Sequence, residues 1–145
     1  MAPRKNPAHA GFLRPFIYGW HAKIADMRVY WLLGALIISS ILASLHYVAM
    51  ADFLYWRYQW LDVPMHYLGG VTIAVFLVGF LYTKRVTRFF SLFALLVIGW
   101  EVFEYVFGIP REANYLRDTV YDLLMDTLGA FTVYAIARKT LWRSK

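Results

Sequence analysis

Four long apolar runs dominate the chain, at residues 29–50, 64–82, 89–109 and 119–137. A helix needs about 20 mostly apolar residues to cross the hydrocarbon core of a bilayer, and each run is of that order. The pattern predicts an all-α, polytopic membrane protein. Its core is a four-transmembrane-helix bundle over residues 29–138, with an N-terminal interfacial amphipathic segment in residues 1–28 and a basic tail at 139–145. The first run ends in Ala49-Met50-Ala51, which resembles a signal-peptidase site. The run is longer than the roughly 7–15 apolar residues of a signal peptide, so it reads as a retained helix.

Composition agrees with this. Of 145 residues, 61% are hydrophobic, against roughly 45–50% in soluble domains, and a soluble monomer of this size could not bury that share. The chain has no cysteine, which excludes a disulfide framework, a thiolate metal site and a cysteine nucleophile. The net charge of +6 is mostly a topology signal. Arg4, Lys5, Arg14, Lys23 and Arg28 precede the first span, Lys84, Arg85 and Arg88 separate the second and third, and Arg138, Lys139, Arg143 and Lys145 follow the fourth. Short basic loops resist translocation, so both termini are expected to be cytoplasmic. Only Arg57, Arg111 and Arg117 fall on the other side. The basic residues suit anionic lipid head groups; no basic-aromatic module for nucleic acid is present.

Aromatic residues cluster where the interfaces are expected. Phe12, Phe16, Tyr18 and Trp20 interleave with Arg14 in residues 11–21, as in an inner interfacial anchor. Phe53, Tyr55, Trp56, Tyr58 and Trp60 read as a belt in the outer head-group layer.

The acidic residues carry the chemistry. Six of nine lie inside or at the edge of a span: Asp62, Glu101, Glu104, Asp118, Asp122 and Asp126. With the orientation above, all six fall in the outer half of the bundle. At about 1.5 Å of rise per residue, His66 sits roughly 6 Å below Asp62, Asp122 roughly 6 Å below Asp118, and Glu104 near the same layer. Glu101 and Asp126 lie about one turn deeper. Asp62 and His66 are four apart, Glu101 and Glu104 three apart, and Asp118, Asp122 and Asp126 follow at intervals of four. Each set therefore shares one helical face, and three helices can aim carboxylates and an imidazole at a common axis.

A charged residue at a helix centre costs about 2.5–3.5 kcal/mol on insertion scales, so several deep carboxylates need neutralising. Protonation, arginine pairing and metal binding are the means available. The arginines on that side belong to loops near the rim. A divalent cation (zinc, manganese, iron or magnesium) suits carboxylate oxygens with one imidazole nitrogen, and facing helices of a bundle are a recurrent scaffold. His66, Glu104 and Asp122 are the expected core ligands, with Asp62 and Asp118 as further ones, and Glu101 and Asp126 as ligands or general base. Arg111 and Arg117 at the mouth would hold an anionic head group or neutralise rim carboxylates.

Plainer roles compete at single positions. Asp118 and Asp62 each open a span and could cap a helix, and a lone His66 could be a packing residue. His46, near the outer end of the first span, is a further candidate ligand, whereas His9 and His21 lie on the opposite side. Gly69, Gly70 and Gly129 would allow close helix approach. Ser39, Ser40 and Ser44 read as interhelical hydrogen-bond groups.

The segments Asp62-Val63-Pro64-Met65-His66-Tyr67 and Trp100-Glu101-Val102-Phe103-Glu104, with Asp118, Asp122 and Asp126 before Gly129, resemble the VanZ-like and YjdF-like families of small bacterial membrane proteins. Where VanZ-like proteins tend to carry a glutamine and an asparagine, this chain has Glu104 and Asp126, which makes the site more acidic. The resemblance implies a bacterial inner (plasma) membrane protein of the cell envelope. The expected function is metal-dependent hydrolysis or group transfer on a lipid or lipid-linked envelope substrate. The rival expectations are an ion- or proton-coupled small transporter and a non-catalytic metal-binding scaffold. A homo-oligomer remains open.

Overall fold

The computed structural model describes residues 14–108 and 114–142, with side chains from residue 27 onward. Five α-helices occur: α1 (Arg14–Ala51), α2 (Leu54–Arg57), α3 (Asp62–Leu81), α4 (Val86–Phe107) and α5 (Tyr115–Thr140). No strand is present among the described residues. Four segments are long and apolar enough to cross a membrane, Met27–Ala51, Gln59–Leu81, Val86–Phe107 and Tyr115–Thr140, matching the four apolar runs. Large side chains such as Leu36, Leu95 and Phe131 are about 60% exposed or more, an inside-out distribution that fits a hydrocarbon surround rather than water.

The side chains of the expected interfacial anchor at 11–21 lie outside the described residues; from Arg14 the backbone runs as one helix into the first span. Trp142, expected in a basic tail, is instead buried and stacks beside Tyr134 with ring centroids 5.5 Å apart.

The chain reverses sharply at three places. Phe53 takes a left-handed conformation (φ 55°) after α1, Tyr82 does so after α3 (φ 44°), and Gly108 after α4 (φ 62°). The last two are C-caps, their N–H groups returning to the carbonyls of Val78 and Glu104, which satisfies carbonyls the helix leaves orphaned.

Helix α3 is the centre of the bundle, packed on α5 and on α1, while α4 touches α3 and α5 more sparingly. Lipid-embedded helices gain little from hydrophobic association, so close packing and small residues must hold them together. Gly70, Ala74, Gly129, Ala130 and Ala137 are all buried on α3 and α5. A Cβ at Gly70 would run into the backbone of Asp126, and one at Gly129 into the carbonyl of Tyr67. The two helices thus meet backbone to backbone, and the paired positions (66 with 122, 70 with 126) show them running in the same direction. Below this contact Val78, Phe89, Phe93, Val97, Val133 and Tyr134 form an apolar core. The Tyr134 hydroxyl donates to the Lys84 carbonyl at 3.0 Å, which ties α5 to the α3–α4 turn.

Arg28 does more than set topology. Its Nε and Nη2 donate to the carbonyls of Gly79 and Phe80 at 3.0 and 2.8 Å, so a cation from α1 closes the negative end of α3. Removing both charged hydrogen bonds in Arg28→Ala should cost about 1–2 kcal/mol of stability, read as a lowered midpoint in thermal unfolding of the detergent-solubilised protein. Ser40 and Ser44 bond back to the carbonyls of Leu36 and Ser40 within α1, and so correct the interhelical expectation: a serine hydroxyl finds the i−4 carbonyl of its own helix first.

Candidate metal centre

Because α3 and α5 are parallel, their N-terminal turns lie at the same end of the bundle. Four unpaired N–H groups and the positive end of the macrodipole accompany each N-terminus, and carboxylates gather there. Asp62 is the first residue of α3, and Asp118 lies in the first turn of α5 with Asp122 one turn beyond. Neither Asp62 nor Asp118 caps its helix, contrary to the plainer expectation. The residue before α3 is Leu61, with no side-chain cap, and α5 is capped by Asn114, whose side-chain Oδ1 accepts from the Arg117 N–H at 3.2 Å.

His66 is the hub. Its Nδ1 lies 3.3 Å from Asp126 Oδ2, and its Nε2 lies 3.7 Å from Asp62 Oδ1 and 3.6 Å from Asp122 Oδ1. An ionised carboxylate can only accept, so with Asp126 ionised and the imidazole neutral the ring proton would sit on Nδ1 and the Nε2 lone pair would face Asp62 and Asp122. The two Nε2 separations exceed the usual 2.7–3.2 Å or so of an N–H···O bond. They are close to the ~3.4 Å that separates two ligand atoms held ~2.1 Å from one tetrahedral ion. One ligand atom from each of Asp62, His66 and Asp122 lies within 4.8 Å of the others. This donor set fits a small divalent cation, and Asp126 stands behind it as the carboxylate that orients a ligating histidine.

Burial makes the arrangement costly without compensation. Asp122 and Asp126 are each 4% exposed and Glu101 is 5% exposed. Carboxylates so placed are stable only when paired, protonated or bound to a cation.

The remaining expected residues take distinct places. Glu104 lines the same cavity as His66, Asp62 and Asp126 but is not in the three-residue group; it feels the charges of Glu101, His66 and Asp62. Glu101 does not line the cavity. Its side chain is buried beside the Thr119 hydroxyl, with which it interacts, and its backbone carbonyl accepts from the Tyr115 hydroxyl at 3.3 Å. Asp118 stays at the rim, within electrostatic reach of Asp122 and Glu101. Arg117 is exposed, lies over the Tyr121 ring at 5.5 Å and is not among the residues lining the cavity. Arg111 lies outside the described residues.

The cavity measures about 490 Å³ and also reaches Ser39, Leu42, Ala43, His46, Tyr55, Met65, Gly69, Thr72, Ile73, Val97 and Trp100. Two of these revise the sequence reading. Tyr55, expected in an aromatic belt, turns inward from α2, and its hydroxyl lies 2.8 Å from Nδ1 of His46. Burial pushes the Tyr55 phenol up to about 12, with the negative charges of Asp62 and Glu104 adding to the effect, so it keeps its proton at any physiological pH. His46 joins the cavity mouth through that hydrogen bond rather than as a member of the three-residue group. A pairing of this kind has no sequence signal beyond proximity in the chain. Trp56, Tyr58 and Trp60 remain exposed, as a belt requires.

No protein-family model, curated protein or solved structure matches the chain.

Proposed function

We propose that the protein is a membrane-embedded metalloprotein that binds one divalent cation through His66, Asp62 and Asp122 and uses it for hydrolysis or group transfer on a lipid or lipid-linked substrate. The observation that carries this reading is the orientation of His66: Nδ1 faces Asp126 while Nε2 faces two carboxylates at ligand-like separations. A bound ion would supply Lewis acidity and a more acidic water. Around it, Asp126 fixes the imidazole, Glu104 on the cavity wall is the base positioned to take a proton, and the Tyr55 hydroxyl offers one at the mouth. The VanZ-like motifs, the acidic end and the basic-residue topology favour an outward-facing site in a bacterial plasma membrane.

A carrier would need a polar route through the bundle. Among the described residues the part beyond Ile73 is filled by the apolar core around Val78, Phe89 and Phe93, which supports a one-sided site over a conduit.

Elemental analysis of protein purified without chelator tests the reading. About one zinc, manganese, iron or magnesium ion per chain is expected, and its loss in His66→Ala. A metal-free wild type whose thermal stability ignores all four added ions would sink the proposal.

A further inference from the structure

Helices α1 and α4 flank α3 without a substantial interface of their own, and the cavity lies in the cleft this leaves. Its volume of about 490 Å³ falls within the roughly 300–1,000 Å³ of small-molecule sites. Its walls are unequal along their length. Asp62, His66, Glu104 and Asp126 line it near the N-terminus of α3, and Ile73 marks the far end of the α3 wall, about 10 Å beyond His66 at ~1.5 Å per residue. There Val97 of α4 joins it, and on α1, which runs antiparallel to α3 with Arg28 against Gly79 and Gly34 against Val75, the lining residue nearest this end is Ser39, Ala43 lying level with His66. A polar end continuous with an apolar slot matches an amphiphile, not a wholly soluble molecule. Both flanking helices are long and apolar enough to cross a membrane, so a gap between them at that depth faces hydrocarbon, where an aliphatic chain enters at no hydrophobic cost and water does not.

We infer that the α1–α4 cleft admits the hydrocarbon chain of a membrane phospholipid sideways from the bilayer, with the phosphate head group brought up to the Asp62–His66–Asp122 end. The head-group part rests on the metal reading, since an anionic phosphate needs a cation among those carboxylates; the chain part does not. The occupant is one lipid chain lying along Ile73 and Val97.

Photocrosslinking tests this directly. The full chain is reconstituted in phosphatidylcholine vesicles containing a phosphatidylglycerol with a mid-chain diazirine, irradiated, and mapped by peptide mass spectrometry, with metal content measured on the same sample. Label is expected on Val97 and Ile73, although Val97 is only 4% exposed. It should be lost from both in Ser39→Trp, which fills the cleft from the exposed face of α1, while Leu95 and Ile98 on the outer face of α4 stay labelled and the metal content stays unchanged. Label confined to Leu95 and Ile98 in the wild type, or label on Val97 and Ile73 undiminished in Ser39→Trp, would overturn the inference. A protein labelled at Val97 and Ile73 yet free of metal would uphold the chain site while removing the metal reading. Ala43→Trp, one turn along α1 on the same wall, repeats the block nearer the His66 end.

Discussion

Alanine in place of Gly70 is expected to cost about 3 kcal/mol or more, at the upper end of overpacking penalties, and to disable the site as well. The single added carbon would meet the backbone of Asp126 on α5, and backbone cannot rotate aside as a side chain can. The helices must separate, and the separation acts on every pair that depends on their closeness. Tyr67 loses its 3.3 Å contact with the Thr132 hydroxyl, and His66 is drawn away from Asp122 and Asp126. Gly129→Ala should behave alike, since its Cβ would meet the Tyr67 carbonyl and the Val71 nitrogen. Two controls make the expectation specific. At Gly99 a Cβ meets nothing within 4 Å, so Gly99→Ala should stay within about 0.5 kcal/mol of wild type. At Gly69 the nearest atom is the Asp126 Oδ1, 3.2 Å away. That carboxylate can swing, so Gly69→Ala should leave the fold nearly intact and perturb metal binding. Unfolding in detergent, followed by tryptophan fluorescence with metal content measured in parallel, checks all four. Equal stability for Gly70→Ala and Gly99→Ala would contradict the backbone contact.

These glycines mark the boundary of what the sequence can disclose. The four spans are legible because the membrane forces long apolar runs, and the observed helices differ mainly by extending into polar flanks. The last begins at Tyr115 rather than near 119 because Asn114 caps it upstream of the apolar run. The clustering of Asp62, His66, Asp122 and Asp126 is legible from intervals of four and from topology. Asp62 rather than Glu104 stands beside Nε2 because it shares α3 with His66 at i, i+4, whereas Glu104 sits on α4, which packs more sparingly on α3; the approach of Asp122 depends on the α3–α5 glycine contacts. Tyr55 was beyond reach for a different reason. A loop aromatic reads as an interfacial anchor unless the backbone reversal at Phe53, a left-handed turn at a non-glycine residue, is known.

Asp126 should prove a positioning residue whose loss weakens metal binding without abolishing it, whereas loss of Asp122 should remove the ion. In Asp126→Ala the Nδ1–H of His66 loses its acceptor and the ring its fixed orientation, and second-layer changes of this kind typically cost about 10–100-fold in metal affinity. Asp126→Asn retains an acceptor oxygen and should fall between the alanine variant and wild type. The stability readout separates this arrangement from its competitor, an imidazolium clamped among carboxylates. At a free zinc concentration of about 100 times Kd, binding stabilises the fold by about 2.7 kcal/mol, and a tenfold weaker site retains only about 1.4 kcal/mol. The zinc-dependent rise in Tm should therefore be large in wild type, roughly halved in Asp126→Ala and absent in Asp122→Ala. The metal-free stabilities should move the opposite way for Asp122→Ala, because that carboxylate is buried, Asp62, Asp118 and Glu101 add like charge, and a neutral His66 would offset none of it, so its removal relieves them. A clamped imidazolium gives other signs: both alanine variants lose stability without metal, having lost a partner of a buried cation, and zinc shifts none of the three proteins. Titration with zinc, monitored by a chromophoric competitor and by thermal unfolding, distinguishes the two patterns by sign as well as by size.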